Sequence, residues 1–166
     1  MAGTQHFDRM NYNVRRGLRE IVAPSHRMTD KEWSETKREF HDRCAFCGSH
    51  ATAENRGLVA DHLIPVADFG ELVAGNTIPA CQTCNDSRGR KNWKAFLESR
   101  FPREAAARIA KIEAHVRKYN YSPASPETAL AAEELNQYHN LLREWDHLLT
   151  RAQALRSAVL ARRSTT

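Results

Sequence analysis

The sequence has no long apolar run. Nothing in it approaches the roughly 18 uninterrupted apolar residues that a membrane helix requires, so no membrane-spanning segment is expected. The first residues, Met1 to Phe7, carry no apolar signal core, which makes a cytoplasmic protein the expectation. Internal repeats and low-complexity tracts are also absent, and that argues against repeat architectures and disordered linkers. Cysteine is sparse: four in 166 residues, all in one pattern. Positive charge is missing from a whole segment, since between Cys44 and Cys84 the only Lys or Arg is Arg56. Yet the chain as a whole is basic, with a net charge of +5 and a pI near 9.2. The excess lies downstream. From Asn85 to Lys118 ten Lys/Arg stand against four Asp/Glu, the footprint of a face that meets a polyanion such as a phosphate backbone.

The four cysteines form two CxxC pairs, Cys44-Ala45-Phe46-Cys47 and Cys81-Gln82-Thr83-Cys84. A tetrahedral zinc site needs four soft ligands, and two such knuckles are the usual way to present them. A redox role for CxxC is the rival, but two pairs without a thioredoxin-like pattern favour zinc. His41 and His50 flank the first pair at the same spacing and could substitute as ligands, although the cysteines already complete the set. With four thiolates bound, the zinc would be structural, leaving no open position for water.

Between and just behind the knuckles lie harder donors: Asp61-His62, Asn76 and Asn85. The apolar run Gly57 to Ala60 leads into Asp61-His62-Leu63-Ile64-Pro65, and Thr77 to Ala80 reads as a returning strand introduced by Asn76. Asn85 follows the last cysteine directly and opens Asn85-Asp86-Ser87-Arg88-Gly89-Arg90-Lys91. In order and spacing, residues 44–97 resemble the HNH nuclease family, whose fold is the ββα-metal finger. The sequence departs from that pattern in two places. The loop from Val66 to Gly75 lacks the usual adjacent glycines, and Arg88 stands where lysine is common. The resemblance implies that His62 is the general base, and that Asp61 and Asn85 hold one catalytic Mg²⁺ or Mn²⁺. It further implies that Asn76 belongs to the catalytic constellation by bracing the hairpin loop. Arg88, Arg90 and Lys91 are candidates for DNA phosphate contacts, with Arg88 foremost. An unperturbed histidine titrates near neutrality and suits the base. Strand alternation sends adjacent Asp61 and His62 to opposite sides, so they can divide the work.

The flanks read as helical. Residues 1–28 are expected to be a basic arm or short helix, either DNA-contacting or solvated. Thr29-Asp30-Lys31-Glu32 predicts a capping box, opening a helix whose Trp33 and Phe40 face the core. Trp93, Phe96 and Leu97 predict a continuing helix that covers the hairpin, with base stacking by the aromatics the rival role. Pro102 is expected to start another helix with Ile109, Ile112 and Val116 on one face. Ser125 and Pro126 predict the cap and first residue of a final helix reaching about Arg163. Its seam of Leu141, Trp145, Leu148, Ala152, Leu155 and Val159 recurs at alternating four and three. That seam is expected to pack at least partly against Ile109, Ile112 and Val116 as a helical hairpin. Its distal end offers weak homodimerisation.

The expected architecture is therefore α+β: a basic arm over 1–28, a nuclease domain with a ββα-metal core over 29–100, and a helical extension over 101–166. The expected activity is metal-dependent endonucleolytic hydrolysis of DNA, without a small-molecule cofactor. The alternative is a non-catalytic zinc-knuckle module that binds nucleic acid or recruits a partner.

Overall fold

The computed structural model describes residues 2–54 and 56–164. In chain order it comprises α1 (Ala2–Val22), α2 (Asp30–Glu39), β1 (Leu58–His62), β2 (Thr77–Cys81), α3 (Gln82–Arg88), α4 (Trp93–Arg100), α5 (Ala105–Lys118), α6 (Pro126–Ala129) and α7 (Ala132–Ser164), with 3₁₀ turns at Val66–Asp68 and Ala74–Asn76. This is the α+β arrangement expected. The chain divides into two compact units, Pro24–Ala124 on the one hand and Met1–Ala23 with Ser125–Thr166 on the other.

The first unit is built on one antiparallel pair. β1 and β2 align with Asp61 opposite Ile78 and His62 opposite Thr77. All of β2 is buried, and its Ile78, Ala80 and Cys81 join Phe40, Phe46, Leu63, Phe96, Leu97 and Ile112 in one apolar cluster. Local chemistry delivers each neighbour. Thr29 Oγ1 accepts the Glu32 amide at 3.3 Å while Glu32 returns a carboxylate to the Thr29 amide at 2.7 Å, so the capping box starts α2 as predicted. His41 and Asp42 then adopt left-handed φ of 56° and 52°, turning the chain from α2 into the first knuckle. The Pro79 carbonyl of β2 accepts the Ala45 amide at 2.7 Å, which stitches that knuckle to the sheet.

Several expected boundaries shift. α3 and α4 are not continuous: Gly89, at φ 53°, ends α3, and Asn92 caps α4 by accepting from the Lys94 and Ala95 amides. Pro102 lies in a turn, and α5 starts at Ala105. The expected final helix is broken. Ser125 and Pro126 do start a helix, but it stops at Ala129, and Leu130 is extended before α7 begins. Trp93 is partly buried against the apolar cluster.

The helical hairpin also differs from expectation. Ile112 is fully buried in the apolar cluster of the first unit, and Ile109 and Val116 pack on it. That face of α5 is committed to the apolar cluster of its own unit. The partner of α7 is α1. Arg15 forks onto Asp146 at 2.7 and 2.9 Å, Trp145 Nε1 donates to Asn11 Oδ1 at 2.9 Å, and Arg156 stacks on Phe7 with 5.5 Å to the ring centroid. Phe7 meets Arg156 whereas Asn11 and Arg15 meet Trp145 and Asp146, so the pair is antiparallel. Residues 2–22 are thus a long helix rather than a loose arm, and Arg15 is engaged within its own unit.

The loop between the strands is shaped by close contact. Asn76 is buried, donates to the carbonyls of Ile64 at 3.0 Å and Glu71 at 2.9 Å, and accepts the Ile64 amide at 2.9 Å. Gly70 passes so near this bridge that a Cβ there would lie 1.9 Å from the Ile64 carbonyl oxygen and 2.9 Å from Asn76 Nδ2. A single glycine does the steric work here, without the adjacent pair common in the family. Backbone atoms are the obstacle, so Gly70→Ala is expected to destabilise the protein by about 1–3 kcal/mol. Urea unfolding measures this, and an unchanged midpoint would show that the loop can yield.

Candidate active site

Two clusters of polar side chains flank the sheet. The first is the cysteine quartet. Cys44 and Cys47 bracket a turn that is followed at once by left-handed Gly48, at φ 77°, while Cys81 ends β2 and Cys84 sits in the first turn of α3. In each pair the second cysteine's amide donates to the first's sulfur at 3.4 Å. All four sulfurs lie within 4.8 Å of one another, and Cys47 and Cys81 are 3.8 Å apart. Sulfurs held at about 2.3 Å around a tetrahedral zinc would be roughly 3.8 Å apart. His41 and His50, the alternative ligands, are exposed and stand outside this cluster.

Electrostatics make the same point. Hydrogen bonding with Cys84 draws the Cys44 thiol down to about 5, whereas that shared bond, followed by burial, pushes Cys84 far up. Burial also raises Cys81. Crowded thiols cannot ionise together unless a cation neutralises them, and a bound metal ion does that. From α5, Arg108 donates to the carbonyls of Phe46 and Cys47, holding the first knuckle from behind. No sequence pattern pointed to Arg108.

The second cluster lies where β1 meets α3. Asp61 is only 5% exposed, and Arg88 Nη2 donates to its Oδ1 at 2.7 Å. The same nitrogen donates to the His62 carbonyl at 2.5 Å, and Nη1 donates to the Lys91 carbonyl at 3.2 Å. Burial raises the Asp61 pKa, and Arg88 opposes but does not cancel that effect. Asp61 Oδ2 is buried and meets no hydrogen-bond donor among the described residues. Asn85 is half-buried on α3, one turn before Arg88 and so on the flank that approaches Asp61. His62, next along β1, is half-buried.

Arg88 differs from its expected role. It is 3% exposed, and Asp61 and two carbonyls hold both of its terminal nitrogens, so it is not an accessible phosphate contact. Arg90 and Lys91 are exposed just beyond α3. Arg56, the sole cation between the knuckles, pairs with Asp86 of α3. Sequence reasoning also missed His115. It is buried on α5, its Nε2 lies 2.6 Å from the Ala74 carbonyl, and Glu39 of α2 lies 3.0 Å from Nδ1. Its place on the apolar stripe of α5 was the available signal.

Knuckle, hairpin with Asp-His, braced loop and short helix thus occur in one unit and in this order. Residues 44–91 match the HNH endonuclease family. The HNH match runs from the first knuckle cysteine to Lys91 and so contains both knuckles, β1, β2 and α3. The chain is also 24% identical over 117 residues, 66% of its length, to a Bacillus subtilis (strain 168) protein, YoqL, named as a candidate HNH endonuclease derived from the SPbeta prophage. It spans about half of that relative, 48% of its length. No solved structure matches the chain. No helix among the described residues is long and apolar enough to cross a membrane.

The quartet geometry predicts that Cys84→Ser loses tightly bound metal and melts well below the parent protein, because ligand binding and folding are coupled in small metal knuckles. Elemental analysis and a melting curve test this. Full metal content with an unchanged melting temperature would return His41 or His50 to the ligand set.

Proposed function

We propose that this protein is a metal-dependent endonuclease that hydrolyses DNA phosphodiester bonds in its HNH segment. The observation that carries this reading is Asp61: a buried carboxylate with one oxygen clasped by Arg88 and the other without a protein donor, beside His62 and with Asn85 one turn before Arg88 on α3. Asp61 and Asn85 offer oxygens, the donor type preferred by Mg²⁺ and Mn²⁺. A divalent ion held there supplies Lewis-acid stabilisation of the scissile phosphate and the leaving 3′ oxygen.

The chain's own residues do the rest. His62 takes the proton from the attacking water, a task for which imidazole basicity is suited. Asn76 ties both ends of the loop to the strand ends, and this keeps His62 and Asp61 in register. The cysteine quartet holds a structural Zn²⁺ through four thiolates, and reduced thiols of that kind suit a cytoplasmic protein. Exposed Arg90 and Lys91 just beyond α3 meet the DNA backbone, continuing the basic run from Asn85 to Lys118.

A second copy is the partner proposed for α7. Leu141, Leu148 and Leu155, at seven-residue intervals, are 40%, 53% and 67% exposed on the described chain. Glu144 and Arg151, also exposed, lie four residues before and three residues after Leu148. Antiparallel pairing about Leu148 would set Leu141 opposite Leu155 of the copy and Glu144 near its Arg151, a self-complementary seam. Two nuclease centres would then serve one duplex.

His62→Ala is expected to lower Mg²⁺-dependent plasmid cleavage by about 10²–10⁴-fold, the usual contribution of a general base, with metal content and DNA binding near the parent values. A variant that cuts at more than about a tenth of the parent rate removes His62 from that role, and a parent protein that binds DNA without cutting it favours the non-catalytic alternative. For the seam, light scattering should show a dimer that Leu148→Glu converts to monomer. A parent protein that stays monomeric, alone and on DNA, excludes the pairing.

A further inference from the structure

Among the lysines and arginines of the HNH segment, Arg56, Arg90 and Lys91 are exposed while Arg88 is buried. It is 3% exposed, and its guanidinium reaches three anchors: Asp61 Oδ1 at 2.7 Å, the His62 carbonyl at 2.5 Å and the Lys91 carbonyl at 3.2 Å. The ring of Phe46, from the first knuckle, lies 6.0 Å from its Cζ. One side chain on α3 therefore touches the side chain of one site residue and the backbone of the next, and it is lodged beside the metal knuckle. A carboxylate without such a partner would rotate freely about its terminal torsion. Here Oδ1 is taken, and Oδ2 is left buried with no donor.

We infer that Arg88 is a positioning residue for the proposed nuclease centre: it holds Asp61 in the orientation that presents Oδ2 to the catalytic divalent ion and fixes His62 in register with it. The inference rests on the nuclease reading above. The planar fork explains the residue type. Guanidinium can serve a carboxylate and two carbonyls in fixed directions, whereas a lysine ammonium is a point charge on a flexible stem. Partners that orient a metal ligand in this way are usually worth 10–100-fold in metal affinity or activity. A phosphate-contacting arginine at the same position would behave differently. It would add nothing to metal affinity, and its loss would lower the salt slope of DNA binding by about one unit.

The experiment uses the full-length, zinc-loaded protein with Arg88→Met and Arg88→Lys, and Asp61→Ala as the background. Mn²⁺ binding is followed by electron paramagnetic resonance, cleavage by plasmid relaxation, and DNA affinity as a function of salt without added divalent ion. Arg88→Met is expected to lose about 10–100-fold in both Mn²⁺ affinity and cleavage, with the salt slope of DNA binding unchanged. Arg88→Lys should recover part of each loss, since the amine keeps the charge but cannot reach every anchor. Zinc content and melting report on folding. If Arg88→Met fails to fold, the lysine variant decides alone, because a phosphate-contact role leaves its Mn²⁺ affinity at the parent value. Parent-like Mn²⁺ affinity in either folded variant, or a reduced salt slope in Arg88→Met, overturns the inference. A parent protein that neither binds Mn²⁺ above the Asp61→Ala background nor cuts DNA overturns the nuclease reading itself, independently of Arg88.

Discussion

Four sulfurs within 4.8 Å of one another join segments of the chain that are otherwise far apart in sequence. Two of the cysteines close a turn that follows α2, and the other two end β2 and begin α3. Bringing them together fixes where the hairpin ends, where α3 starts and how the α2 turn meets the sheet. A 5-residue strand pair buries too little to be stable alone. It depends on the knuckle at one end, on α4 and α5 across its face, and on the bond between the Pro79 carbonyl and the Ala45 amide. Crowded thiols repel one another's ionisation, so the arrangement calls for a cation to complete it.

From that anchor the polar site follows by short steps. Cys84 places Asn85 at once, and one further turn of α3 places Arg88 against Asp61. Burial penalises the Asp61 charge, and the guanidinium offsets only part of that penalty. Breaking such a buried pair from either side leaves an uncompensated group, typically at a cost of 3–5 kcal/mol. Stability and the orientation of the site are thus carried by the same contact. Asn76 performs a comparable duty at the loop end of the hairpin, with three hydrogen bonds across a loop that only glycine at position 70 can approach.

The second unit follows different rules. α1 and α7 meet through paired polar contacts, Arg15 with Asp146 and Asn11 with Trp145. These leave the leucines at 141, 148 and 155 exposed. A long helix with an exposed apolar row is unusual on a chain by itself. His115 and Glu39, by contrast, show how firmly α5 belongs to the first unit. The imidazole bridges α2 to the carbonyl that precedes β2, and although burial works against its charge, Glu39 is held ionised by Lys118 and His115.

Much of the site was legible because its determinants are local. The CxxC spacing, the Asp-His step at a strand end, the capping box at Thr29 and the asparagine behind Cys84 are short patterns, and short patterns survive without knowledge of distant contacts. What the sequence could not decide was which cation faces inward and which helix meets which. Arg88, Arg90 and Lys91 look alike along the chain, and only the packing of α3 on β1 buries the first and exposes the others. Likewise Ile112 and Leu141 are equally apolar, and a heptad stripe fits any apolar partner. The sequence by itself determined the residue types of the candidate site and their order. The tertiary structure alone decided that α5 covers the hairpin, that α1 pairs with α7, and that Arg88 closes on Asp61, because each depends on contacts between residues far apart in the chain.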